Sequence, residues 1–247
     1  MGIDMELKKL KTKDFNFEYS QDLEDYVKEV EQISLQRKEV LCKFFKCNFN
    51  DIPAIDTAIL SNQKDFVDYI HKITNNKSTP PEWATGCFCN DGIQMLVLKD
   101  NPKQYNASKF IISHEMTHLF INKFVYNKYN IPRLKWWDEC YAYWLERPLT
   151  KERAEQAITL SKENEHRANF DMNIIKNNSK NENEVNAFPL YKIVGYYIFQ
   201  NNLAKKYVEI IKKDRNKMVE IGKTIVADAI DYILDNTNTA VSINKNN

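Results

Sequence analysis

A chain of 247 residues is long enough to bury one large core or an intimate pair of lobes. Its 35 basic and 34 acidic residues nearly cancel, and with no basic arm or Arg-rich helix there is no reason to expect a polyanionic partner such as nucleic acid. No segment approaches the roughly eighteen apolar residues of a membrane span, and the amino terminus MGIDMELKKL lacks the apolar core of a secretion signal, so the expected location is the cytoplasm, with no membrane partner.

In chain order, Ser20 is the expected cap of a long first helix. Leu23, Tyr26, Val27, Val30, Ile33, Val40, Leu41 and Phe44 follow at helical spacing, which makes residues 1–50 an N-terminal helical segment. Residues 51–130 read as a strand-bearing lobe, with a strand over 54–60 and a helix over 63–73 capped by Ser61 or Asn62. Further strands are expected over 83–89 and 93–98. Cys87 and Cys89 alternate on one of these strands and so share a face. As a metal site they lack evident further ligands, and the odd count of five Cys argues against a complete disulfide framework. All five are expected as reduced thiols packed like small hydrophobes.

The next helix carries the chemistry. Ser108 is its expected cap, and Phe110, Ile111, His114, His118, Ile121, Asn122 and Val125 recur at three- and four-residue intervals. Neither Gly nor Pro interrupts residues 107–131. Within it, His114-Glu115-Met116-Thr117-His118 places two imidazoles one turn apart on one face. Both can reach one zinc ion at nitrogen–metal distances of roughly 2.0–2.1 Å. Glu115 lies one position round, where it can serve as general base without being a ligand. The alternative is a surface helix carrying its histidines by chance. His71 and His166 have no partner at ligand spacing and read as solvated surface residues.

A catalytic zinc site holds three protein ligands and leaves the fourth position for water. Glu139, 21 positions after His118 in Trp136-Trp137-Asp138-Glu139-Cys140-Tyr141-Ala142-Tyr143-Trp144, is the candidate third. That spacing allows the first helix to end, the chain to turn at Pro132, and a second helix to return the carboxylate. The competing reading is an aromatic core helix, in which a carboxylate would be costly to bury unpaired. Residues 131–235 then form a helical lobe. Pro148 ends the ligand helix, Thr150 caps a helix over 151–175, and the Asn-, Lys- and Glu-rich 177–185 is a loop. Helices over 188–213 and 216–234 follow, with 236–247 as a frayed flexible tail.

The pair His114-Glu115-x-x-His118 and Trp137-Asp138-Glu139-Cys140-Tyr141-Ala142-Tyr143 resembles the motifs of the peptidase MA-like gluzincins, zinc metallopeptidases whose ligands are two His and one Glu. Cys140 stands where that family usually has Gly. Tyr143 stands where thermolysin-type relatives have an Asp that orients a ligand histidine, which leaves Asp138 or Glu146 to supply any such carboxylate. The resemblance implies an α+β, zincin-like (thermolysin-like) fold, a single peptidase domain with a small mixed-sheet lobe, a helical lobe and the zinc helix between them. A strand edge beside that helix would bind extended substrate backbone. Gly86-Cys87-Phe88-Cys89-Asn90 lies where aminopeptidase relatives carry Gly-x-Met-Glu-Asn, and Cys89 replaces the amine-gripping Glu, so strict aminopeptidase action is not implied.

By the same resemblance, Phe188 to Phe199 corresponds to a downstream helix whose tyrosine, a few residues before a glycine, donates to the tetrahedral oxyanion. Tyr191, four residues before Gly195, holds that place, with Tyr196 and Tyr197 as neighbours. These tyrosines also suit plain packing with one polar tip. The implied function is zinc-dependent hydrolysis of a peptide or protein substrate, with Zn²⁺ on His114, His118 and Glu139, Glu115 as base and Tyr191 as oxyanion donor. Two alternatives are a catalytically silent zincin-fold binding or sensing module and a regulatory peptidase with a single protein substrate. Neither substrate preference nor oligomeric state is written in a readable motif.

Overall fold

The computed structural model describes residues 6–82, 84–162 and 188–243, with side chains 161, 162, 188 and 236–243 set aside. It is a mixed α+β structure whose contacts divide it into two units, Met1–Asn122 and Lys123–Asn247.

The first unit holds all five strands: β1 (Leu7–Lys11), β2 (Phe15–Ser20), β3 (Ile55–Leu60), β4 (Gly86–Cys89) and β5 (Gly92–Leu96). Their order is β1-β2-β3-β5-β4, with β2, β3 and β5 parallel and both edge strands antiparallel to their neighbours. The β1–β2 hairpin corrects the expectation of a purely helical first fifty residues. Phe15, Phe17 and Tyr19 are buried and alternate with the half-buried Asn16 and Glu18, a period-two pattern that places one face against the core. Ser20 closes β2 rather than capping the helix, and its hydroxyl accepts from the Ser61 N–H.

Helix α1 (Glu24–Phe45) follows a 3₁₀ turn at Gln21–Leu23. Its buried stripe, Tyr26, Val27, Val30, Ser34, Lys38, Leu41 and Cys42, includes a lysine, while Val40 lies on the solvent side. Lys38 is tolerated in the core because its ammonium meets the Asp14 carboxylate at 2.6 Å and lies 4.5 Å over the Phe49 ring. Helix α2 (Gln63–Thr74) is capped by Asn62, whose side chain accepts from the Asp65 N–H, and ends on Asn75 in the left-handed region. Phe66 and Ile70 of α2 pack on Ala58, Leu60 and Leu96, covering one sheet face. Cys87 and Cys89 point to that same face.

The opposite face receives the helix of the paired histidines. Here the helix expected to start at Ser108 is preceded by another. Helix α3 (Pro102–Ser108), capped by Asn101, ends in a turn at Lys109 and Phe110. Then α4 (Ile111–Ile121) begins and passes into a π-helical turn at Asn122–Asn127. Ser108 caps nothing; it is buried at the end of α3, its hydroxyl on the Tyr105 carbonyl and against the Tyr26 hydroxyl. Helix α4 packs on α1, β4 and β5, and it buries nearly its whole circumference.

The second unit is helical: α5 (Lys135–Glu146), α6 (Lys151–Lys162), α7 (Phe188–Gln200), α8 (Ala204–Lys213) and α9 (Arg215–Ile243). Thr150 caps α6 through the Arg153 N–H. The expected helix over 188–213 is two, because Asn202 adopts a left-handed conformation (φ 56°) and the Leu203 and Asn202 N–H groups close back on the Ile198 and Phe199 carbonyls. The expected tail is partly helical, since α9 continues to Ile243 with neither Gly nor Pro beyond residue 235 to stop it. Residues 163–175 of the helix expected over 151–175, the loop over 177–185, His166, Trp83 and residues 244–247 lie outside the described residues.

Candidate metal centre

His114 and His118 project from α4 at i and i+4, with ring centroids 4.9 Å apart and planes at 75°. His118 is buried and His114 half-buried. Glu139 projects from the second turn of α5. Among the described residues, the ligand atoms of His114, His118 and Glu139 form the one group of three donors that could hold a metal, all within 4.8 Å of one another. Atoms that close share a central point no more than about 2.8 Å from each, so shifts of under an ångström reach bond lengths of roughly 2.0–2.2 Å. Two imidazoles and a carboxylate suit a borderline divalent cation, and they leave a coordination position open for water or substrate. The residues fit the implied ion.

Glu115 lies on α4 between the two histidines and is buried. Its position is fixed from below by Gly86 at the start of β4. A methyl group on Gly86 would lie 2.8 Å from the Glu115 carboxylate oxygen and would overlap the Ile111 side chain. The helix therefore rests directly on the strand backbone. A single missing Cβ sets that approach. Phe88 follows Gly86 on the same face of β4, and among the described residues this edge strand pairs with β5 alone.

Cys87 and Cys89 face away from α4. The Cys89 thiol donates to the Gln94 side-chain carbonyl at 2.9 Å, and contact with Cys87 lowers its pKa despite burial and the Glu115 charge. All five cysteines are free thiols, two of them, Cys42 and Cys140, buried.

On the second unit, α5 is built on aromatic packing. Trp137 and Tyr141 lie 4.6 Å apart, Tyr141 reaches Phe199, and Trp144 stacks on Phe199 at 4.7 Å. Helices α5 and α7 meet closely at Gly195, where a Cβ would lie 2.7 Å from the Cys140 carbonyl oxygen. One turn before that contact, Tyr191 is buried and stacks on Tyr143. Burial first, and then the Glu139 charge, push the Tyr191 hydroxyl well above the ordinary phenol range, so it keeps its proton and can donate. Tyr196 instead packs edge-on against Trp144, and Tyr197 against Tyr232. Of the three tyrosines, Tyr191 is the one whose hydroxyl feels the candidate ligand Glu139.

Asp138, an expected candidate for orienting a histidine, accepts with its carboxylate from the Tyr126 hydroxyl and from Arg133 Nε. Burial raises this carboxyl to about 7, while Arg133 and Tyr126 pull it down. His71, expected at the surface, shares a hydrogen bond with Thr79 at the end of α2. The roles of Gly86, Tyr126 and Arg133 escaped sequence reasoning. Only Gly86 offered a signal, as a glycine inside a strand pattern, which often marks close backbone approach. The chain matches no protein-family model, no curated protein and no solved structure.

Proposed function

We propose that the chain is a zinc-dependent metallopeptidase of gluzincin type, hydrolysing peptide bonds in a peptide or protein substrate. The observation that carries this reading is the grouping of His114, His118 and Glu139 within 4.8 Å, with the buried Glu115 on the same helix. Two His ligands and a base on one turn need only helical periodicity. A third ligand arriving from a helix 21 residues on is a coincidence that a chance histidine pair does not provide.

A zinc ion held by these three residues would supply Lewis-acid polarisation of the scissile carbonyl and lower the pKa of a bound water towards roughly 7. Glu115 then accepts a proton from the attacking water and hands it to the nitrogen of the leaving amine. Its seat above Gly86 restricts the rotamers from which it does so. Tyr191 keeps its phenolic proton and donates a hydrogen bond to the oxygen of the former carbonyl as negative charge builds there, a contribution of about 3–4 kcal/mol where such donors have been removed. The edge strand β4, adjacent to α4, offers backbone groups for pairing with an extended substrate. Five free thiols suit a reducing compartment such as the cytoplasm, and no helix among the described residues is long and apolar enough to cross a membrane.

The test is Glu115→Gln, assayed for zinc content and for cleavage of a mixed peptide library. The variant is expected to keep its zinc and lose turnover by at least the roughly hundredfold that a general base contributes. Undiminished cleavage would sink the assignment. Zinc uptake by the wild type without cleavage of any library peptide would instead favour a silent binding module or a peptidase restricted to one protein, and digestion of unfolded casein separates the general enzyme from both.

A further inference from the structure

We infer that Tyr126, Asp138 and Arg133 form a clamp that positions Glu139 as a metal ligand, an inference that rests on the metallopeptidase reading above. Helix α5 begins without a side-chain cap of its own at Leu134. Its first turn is held from outside instead. The Tyr126 hydroxyl accepts from the Leu134 N–H at 2.9 Å and donates to Asp138 Oδ1 at 2.5 Å, while Arg133 Nε donates to Asp138 Oδ2. Arg215 at the start of α9 secures the preceding loop, donating to the Pro132 carbonyl at 2.9 Å and the Arg133 carbonyl at 3.1 Å.

Two features mark this cluster as more than packing. The first is the π-helical turn at Asn122–Asn127, in which Tyr126 sits. A π turn adds a residue to the helical repeat and rotates the chain beyond it, an arrangement that costs hydrogen-bond quality and recurs at functional sites. The second is the burial of Asp138, 1% exposed, immediately before Glu139 in sequence. A buried carboxylate held by a phenol and a guanidinium is often no more stabilising than apolar side chains of the same volume, but it fixes direction. The directed object here is the α5 turn that carries Glu139. Tyr126, Asp138 and Arg133 are not assigned to substrate or metal and act as positioning residues.

The test compares zinc affinity, by competition with a chromophoric chelator, and the visible absorption of the Co²⁺-loaded protein. The proteins are wild type, Tyr126→Phe, Arg133→Gln and the control Ile225→Val, which trims a buried residue of α9 away from the clamp. Tyr126→Phe removes a hydroxyl and no charged side chain, and the clamp predicts a fall in affinity as the α5 turn loosens. About tenfold weaker zinc binding is expected, together with altered Co²⁺ bands as the carboxylate loosens. Arg133→Gln is the sign test, because its side chain is half-exposed and the variant should fold. Removing a cation near a metal site tightens metal binding if charge alone matters, whereas the clamp requires weakening. The control should match wild type in both readouts. Wild-type affinity and an unchanged Co²⁺ spectrum in Tyr126→Phe, or tighter zinc binding in Arg133→Gln, would overturn the clamp while leaving the metal site standing. Failure of the wild type itself to bind zinc would overturn the metallopeptidase reading and the clamp with it.

Discussion

At the residue scale, Gly86 decides how near α4 can lie to the sheet. Substitution by Ala would drive a methyl group into Ile111 and towards the Glu115 carboxylate. Overpacking of this kind costs typically 1–3 kcal/mol, and we expect Gly86→Ala to lose about 2 kcal/mol by urea denaturation and to lower turnover more than zinc content, because the group displaced is the proposed base. Equal stability to wild type would show that the helix has room to move. The grouping of His114, His118 and Glu139 was legible in the sequence because its signal is local: a one-turn His pair, and a carboxylate in an aromatic segment at a distance a turn can span. What was not legible is what holds them. Tyr126 meets Asp138 through a π turn, and nothing in the residue types Asn122 to Asn127 announces that change of helical repeat.

At the scale of elements, β3, α2, β4 and β5 could be read to within a few residues, since turn residues bound each apolar run. The β1–β2 hairpin could not, for β1 is Leu-Lys-Lys-Leu-Lys, whose two leucines suit a helix as well as an edge strand. Its partner's alternation of Phe15, Phe17 and Tyr19 was the available clue. Glu18 ties three elements together: it pairs with Lys9 of β1 at 2.9 Å and accepts from the Tyr69 hydroxyl of α2 at 2.9 Å. The hydrogen bond from Lys9, aided by Tyr69 and opposed by burial, holds its carboxyl below the usual range. A carboxyl whose folded pKa is lowered adds stability that is present above its unfolded value, about 4.3, and is lost as pH falls through the lower folded value. Glu18→Gln should therefore flatten the acid limb of the stability curve below about pH 4; a limb as steep as in wild type would assign acid unfolding to other carboxylates. Lys38 plays the matching part for α1. Replacing it with Met strands Asp14, itself only 13% exposed, and should cost about 3 kcal/mol in thermal or denaturant unfolding. A neutral result would mean that Asp14 turns to solvent without penalty.

At the scale of the whole molecule, the mixed α and β structure agrees with the short apolar runs over 54–60 and 93–98 set among segments of helical spacing. Composition could not place the break between α7 and α8 or the extension of α9, where a left-handed Asn202 and the lack of a helix breaker decide. The central proposal belongs to this scale: donors from α4 and α5 bind one zinc ion. The most direct measurement is zinc stoichiometry and affinity of the purified protein and of Glu139→Ala, by elemental analysis and chelator competition. One zinc per wild-type chain is predicted, with affinity in the variant falling beyond the roughly 100-fold that loss of an outer partner costs. A variant that keeps one zinc at wild-type affinity, or a wild-type protein that takes up none, would contradict it.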